Sequence, residues 1–146
     1  DNGQFTDTKQ LELNGLLKQY LQDYEEVYDY RNIEVTIDEQ DIFNVTINES
    51  LAVALLTNLL KNAFVHNIDG GHIRITVTKN SITFRNSGVK NPLDKEHIFE
   101  RFYQGTKKEG STGLGLAIAD SICRLQHLSI RYYFEQKEHC FEISRQ

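Results

Sequence analysis

The chain has 146 residues, 39% of them hydrophobic and 25% charged, enough to bury one core and build a single domain. Its formal net charge is −5 and no block is basic, which argues against a nucleic-acid surface. No run reaches about 18 apolar residues and the start carries no secretory pattern, so neither a membrane span nor direct membrane contact is expected. Two cysteines, Cys123 and Cys140, form no Cys-x-x-Cys pair and read as reduced structural thiols of a cytoplasmic protein.

Residues 1–8 read as a lead-in and residues 9–146 as one domain. Gln10–Leu13 has the character of a short strand. Leu16–Arg31 is predicted as a helix, with Leu17, Tyr20, Leu21, Tyr24 and Tyr28 at helical spacing. Its tyrosine stripe reads as the half-buried side of a packed scaffold helix rather than a binding surface. Ile33–Ile37 and Phe43–Ile47 alternate on either side of polar Asp38–Asp41, which predicts a β-hairpin.

The stretch Ser50–Asn67 is the most informative in the chain. Leu51, Leu55, Leu56, Leu59, Leu60, Ala63 and Phe64 recur at helical spacing, with Asn48 or Ser50 as N-cap. Against that apolar background Asn58, Asn62 and His66 form an i, i+4, i+8 polar stripe. A buried amide without a hydrogen bond costs about 1–3 kcal/mol, so the stripe must either meet other protein polar groups or line a site for a polar ligand or hydrated metal. Asp69-Gly70-Gly71 then breaks the chain, and His72–Thr78 and Ser81–Arg85 alternate about Lys79-Asn80 as a second hairpin.

From Asn86 to Thr112 the periodicity lapses except at Ile98–Tyr103, and so long an irregular connection in a small domain is usually functional or mobile. Gly110–Ile118 is glycine-rich and leads into an amphipathic helix running to about His127. Bare glycine amides ahead of a helix N-terminus suit phosphate, while a hinge or a plain helix-start turn reads the same way. There is no Gly-Lys-Ser/Thr and no dinucleotide fingerprint after a strand, which excludes P-loop and Rossmann assignments. Ser129–Phe134 and Cys140–Ser144 close the chain as strands.

Four segments in order, Asn58-Leu59-Leu60-Lys61-Asn62-Ala63, Asn86-Ser87-Gly88, Ile98-Phe99-Glu100-Arg101-Phe102-Tyr103 and Ser111-Thr112-Gly113-Leu114-Gly115-Leu116-Ala117-Ile118, resemble the N, G1, F and G2 boxes of the ATP-binding catalytic domain of sensor histidine kinases, members of the GHKL superfamily. The resemblance spans about Gln10 to Ser144. It implies an α+β fold of the Bergerat type, an α/β sandwich with helices on one face of a mixed sheet and a mobile ATP lid over Asn86–Gly110.

By position, the resemblance makes Asn62 the magnesium ligand and Asn58 the residue near the metal's waters and the γ-phosphate. Magnesium keeps several waters, so one amide oxygen with phosphate and water oxygens can complete its octahedron. His66 falls where the family often sets a ring beside the nucleotide, and a surface histidine after the helix is its plain alternative. Asn86 stands where the family usually has an aspartate for the adenine amine. Gly88, Thr112, Gly113, Leu114 and Gly115 match nucleotide and phosphate contacts, and Phe99 and Phe102 match apolar latches of the lid. The sequence departs from the family at Val65, where a lysine is common, at Lys90 in place of a glycine, at Ser111 and at Gln104. Lys107, with Lys108, stands in the lid, where it can restore a positive charge near the phosphates or remain a solvated pair.

The function implied is delivery of the γ-phosphate of Mg2+-bound ATP to a histidine on a dimerisation and phosphoacceptor domain of a parent kinase, with a response regulator downstream. None of His66, His72, His97, His127 and His139 carries the acceptor pattern, so that histidine is expected outside this chain. A serine kinase or ATPase of the same superfamily, a nucleotide-impaired pseudokinase module and an interaction domain unrelated to nucleotide stay open as alternatives.

Overall fold

Five of the alternating stretches join into one mixed sheet in the computed structural model, which describes residues 7–101, 103 and 113–146. The elements run β1 (Lys9–Glu12), α1 (Leu13–Val27), a 3-10 turn at Asp29–Arg31, β2 (Glu34–Glu39), β3 (Asn44–Ile47), α2 (Glu49–Val65), β4 (His72–Val77), β5 (Ser81–Asn86), α3 (Gly115–Leu125), β6 (Leu128–Glu135) and β7 (Glu138–Arg145). The five-stranded sheet has the order β2-β4-β5-β7-β6, and β1 and β3 form a separate antiparallel pair. Helices pack on one face of the large sheet, the α+β sandwich that the resemblance implied.

Period-two alternation turns Ile73, Ile75 and Val77 of β4, Ile82 and Phe84 of β5, and Phe141 and Ile143 of β7 to the same side. There they meet Leu13, Leu17 and Leu21 of α1 and the leucines of α2 in one core. Nine of the 17 residues of α2 are buried, so this helix is held through most of its circumference. Full burial of a Leu or Phe side chain contributes about 1.5–3 kcal/mol, which fixes the helix firmly against the sheet. The tyrosines of α1 are scaffold, as expected: Tyr28 and Tyr24 stack on Phe64 of α2 with ring centroids at 5.3 and 6.3 Å.

Three expectations are corrected. The hairpin expected between Ile33–Ile37 and Phe43–Ile47 does not form, because β2 pairs in parallel with β4 and β3 pairs with β1. Alternation specifies a strand but not its partner, and the turn between β2 and β3 is bonded here to Asn14 of α1. Its amide donates to Asp41 O at 3.0 Å and accepts Phe43 N at 2.9 Å, satisfying the turn from the helix layer rather than across a hairpin. Secondly, α1 begins at Leu13 and stops at Val27, earlier at both ends than Leu16–Arg31. Asn32, in the left-handed region at φ 56°, ends the 3-10 turn that follows. Thirdly, the closing strands reach to Glu135 and Glu138, joined by Gln136 and Lys137 with φ of 51° and 64°. Two successive positive φ values make a tight hairpin turn of a kind usually signalled by glycine or asparagine.

Candidate functional site

The polar stripe of α2 lies on the part of that helix the core does not seal. Asn48 caps it, its Oδ1 accepting Leu51 N at 3.0 Å. Asn58, Asn62 and His66 are all half-buried. The Nδ2 of Asn58 donates to Ala54 O at 2.7 Å, so its amide nitrogen is tied to its own helix. Its Oδ1 lies against the start of α3, where a Cβ on Gly115 would stand 3.0 Å away. Gly113, two residues earlier, has φ 75°, a conformation glycine adopts without strain. The glycine-led helix start and the asparagine helix therefore meet at Asn58 and Gly115, with Leu114 at the N-cap of α3.

The end of β5 approaches the other end of the stripe. A Cβ on Gly88 would fall 2.8 Å from His66 O, so only glycine lets the chain pass this close to the end of α2. Asn86 is 2% exposed, and its Nδ2 donates to Ser87 O at 2.7 Å. Its Oδ1 is buried with no hydrogen-bond partner among the described residues. An unsatisfied buried acceptor costs about 1–3 kcal/mol, and one held in place by its own amide nitrogen is a ready acceptor for a ligand N–H. The structure thus brings Asn58, Asn62, His66, Gly88 and Gly115 together along α2, with Asn86 beside Gly88. Lys107 and Thr112, with Phe102, Gln104, Lys108 and Ser111, lie outside the described residues. Phe99 packs edge-on to Phe141 at 6.3 Å, and Ile98 is buried in the core.

Several supporting residues escaped the sequence reading. Arg31 closes the C-terminal end of α2, donating to Phe64 O, to Asn67 O at 2.8 Å and to Asp69 Oδ1 at 2.8 Å. A guanidinium here also suits the negative end of the helix dipole. Behind Gly88, His139 donates from Nε2 to Val89 O at 2.7 Å and accepts the Tyr132 hydroxyl at Nδ1, also at 2.7 Å. Tyr132 in turn accepts Leu93 N at 2.9 Å, so the chain leaving Gly88 is tied twice to the β6–β7 hairpin. Burial pushes the His139 pKa below its ordinary value, in keeping with a neutral ring. On the opposite sheet face, Arg74 binds Glu138 through two hydrogen bonds and His72 adds a third, and the Arg74 bonds hold that carboxyl at a pKa of about 2. Burial pushes the Cys123 and Cys140 thiols up to about 12 and about 11, so both are inert core groups, as expected. Among the described residues no helix is long and apolar enough to cross a membrane.

A mixed sheet with helices on one face, an asparagine-bearing helix ending against a glycine-bearing strand, and a glycine-led helix start beside the first asparagine define an ATP-binding sandwich domain. Residues 47–144 match the family described as histidine kinase-, DNA gyrase B- and HSP90-like ATPase, and the chain belongs to that family. It is 33% identical over 127 residues to the heme sensor protein HssS of Staphylococcus aureus (strain Newman), covering 84% of this chain and 28% of that protein. Over 84 residues it is 43% identical to the sensor histidine kinase RppB of Synechocystis sp. (strain PCC 6803), covering 51% of this chain and 18% of that one. The chain thus spans less than a third of either relative. The catalytic domain of histidine kinase ThkA superposes with a TM-score of 0.82 at 25% identity, covering 94% of both chains. ThkA solved in complex with the response regulator TrrA matches with a TM-score of 0.75 at 24% identity, covering 95% of this chain and 42% of that one.

Proposed function

We propose that this chain is the catalytic ATP-binding domain of a sensor histidine kinase, which holds Mg2+-bound ATP and presents its γ-phosphate to a histidine on a dimerisation domain outside this chain. The observation that carries the reading is the buried, unpartnered Oδ1 of Asn86, an acceptor fitted to the exocyclic amine of adenine and set beside Gly88 at one end of the asparagine stripe. The residues present suit the rest of the ligand. Asn62 offers an amide oxygen to the metal, Asn58 stands at the reacting end, His66 lies beside the nucleotide, and Gly113 to Gly115 leave room for phosphates against α3. Magnesium, when held at Asn62, would supply neutralisation of the phosphate charge. The chain's own residues bind and orient; none among those described is an evident nucleophile. Phosphoryl transfer depends mostly on positioning and charge neutralisation, so the isolated domain is expected to bind nucleotide with little turnover.

The RppB and ThkA names support the kinase reading, and the ThkA complex supports a response regulator as the downstream partner. The test is transfer in solution. Alone, the chain should not label itself from γ-labelled ATP; mixed with the dimerisation domain of its parent protein, it should label that domain slowly and in proportion to concentration, at an acid-labile phosphohistidine. Asn58→Ala should suppress labelling more than ATP binding. Acid-stable label on a serine would favour a serine kinase of the same superfamily, and ATP binding without transfer a pseudokinase module.

A further inference from the structure

One residue beyond the stripe, just past the C-terminal end of α2, lies a third amide, Asn67. It is fully buried, and all four of its side-chain hydrogen-bonding positions are filled. Its Nδ2 donates to Ala63 O at 3.1 Å and His72 O at 3.0 Å, while its Oδ1 accepts Ile68 N at 2.8 Å and the Ser87 hydroxyl at 2.6 Å. The Ser87 Oγ in turn accepts His72 N at 2.9 Å, and its proton goes to Asn67 at 2.6 Å in preference to the longer contact with His72 O at 3.3 Å. The first of these bonds grips the turn of α2 that carries Asn62; the last grips the residue between Asn86 and Gly88. Gly71 makes the closure possible, since a Cβ there would stand 2.2 Å from Asn67 Oδ1 and 2.3 Å from Ser87 Oγ. Arg31 holds the Asn67 carbonyl from outside.

We propose that Asn67 and Ser87 are positioning residues that fix the asparagine-bearing helix α2, with its metal and γ-phosphate end, in register with the adenine-binding end of β5, an inference that rests on the nucleotide reading above. Neither touches ligand. Their effect is that of a rigid link between two half-sites: a nucleotide engaging both gains from their fixed separation, whereas a ligand engaging one does not. A bond that only stabilised the fold would weaken both classes of ligand alike or neither.

The test uses Ser87→Ala, which deletes the bond to Asn67 and the acceptor of His72 N while leaving Asn67 its other three bonds, with Ser87→Cys as a variant of nearly conserved volume should the first fold poorly. Mg-ATP affinity is measured by calorimetry, adenosine affinity by NMR titration and folding by thermal melting. The expected result is a Mg-ATP affinity about 3- to 30-fold weaker with adenosine affinity little changed, both measured at a temperature where melting shows the variant fully folded, the range usual for residues that couple sites without contacting ligand. Equal weakening of both ligands, or of neither, overturns the positioning role while the nucleotide reading stands. Failure of the unaltered chain to bind Mg-ATP overturns that reading and this one with it.

Discussion

The Tyr132 hydroxyl donates to Nδ1 of His139 at 2.7 Å, and the same imidazole donates from Nε2 to Val89 O. This arrangement needs a neutral ring with its proton on Nε2. Protonation would place a second hydrogen on Nδ1 and leave the hydroxyl proton without an acceptor in a site that is 3% exposed. The folded pKa is therefore depressed below the ordinary 6.5, chiefly by burial. Below that value the unfolded chain takes up a proton that the folded chain refuses, so stability rises with pH through this window and falls as pH drops beneath it. His97 works in the opposite sense, because its hydrogen bond to Asp94 raises its pKa. Thermal melts of the wild type and His139→Gln across about pH 7.5 to 5 should therefore differ in slope, the wild type losing more stability on acidification. Parallel curves would show that His139 does not titrate with folding.

Glu138 carries a second pH dependence, in a lower window. Its carboxylate is nearly sealed and is bound by Arg74 and His72, and its pKa falls from 4.5 to about 2. The stabilisation is whole above the unfolded value and is lost as pH falls through the range between the two values. Because the Arg74 side chain is 49% exposed, solvent moderates the size of the effect without changing its sign. Acid unfolding followed by circular dichroism should be shallower in this range for Glu138→Gln than for the wild type.

What the sequence disclosed depended on whether the physics was local. The asparagine stripe was legible because three polar residues on an apolar helix violate its periodicity. Gly88 and Gly115 were legible because a missing side chain marks where backbone can come close to a neighbour. The pairing of β2 with β4 was not legible, since alternation is silent about partners and the turn after β2 is bonded to Asn14, distant in sequence. The β6–β7 turn was hidden for a related reason: Gln136 and Lys137 take positive φ without the glycine that usually announces it. Asn67 and Arg31 escaped notice because they bond mainly backbone groups, which carry no residue identity to read. The roles given to Asn58, Asn62, His66 and Asn86 came from order and spacing of motifs, and the experiments on those residues are what decide them.

Gly115→Ala separates stability from binding. Alanine favours a helix interior over glycine by about 1 kcal/mol, less at the first residue of α3, so the fold should hold. The added Cβ would stand 3.0 Å from Asn58 Oδ1, whose amide is anchored to Ala54 O and has little freedom to retreat. Mg-ATP affinity should fall by about tenfold, equivalent to about 1.4 kcal/mol, while the crowding offsets the helix gain and leaves the melting temperature little changed. Unchanged affinity by calorimetry would mean that α3 can shift without disturbing the phosphate end.

Asn62→Ala removes the amide assigned to the metal from a half-buried position on α2. Loss of this one side chain should leave the fold intact, since the helix is held by its buried leucines. ATP affinity in the presence of magnesium should drop towards the affinity measured in chelator, so that the gain from adding the metal largely disappears. Calorimetry with and without magnesium reads this directly, and a mutant that retains the full gain would move the metal away from Asn62.

Asn86 offers the most direct test of base recognition. Its Nδ2 is committed to Ser87 O, which leaves the buried Oδ1 as the free acceptor, while the family's usual aspartate would set a carboxylate oxygen against that same carbonyl. Held this way the side chain can accept an exocyclic amine such as that of adenine but cannot donate to a ring carbonyl such as that of guanine. ATP should accordingly be preferred over GTP. Asn86→Ala removes the acceptor and relieves the unpartnered buried oxygen at once, so the free protein should lose little stability. ATP affinity should fall by about 1–2 kcal/mol, roughly 5- to 30-fold, because the adenine amine is then left without its partner. GTP affinity should change far less, and the preference between the two should narrow. Were both nucleotides weakened to the same extent, Asn86 would be shaping the pocket rather than reading the base.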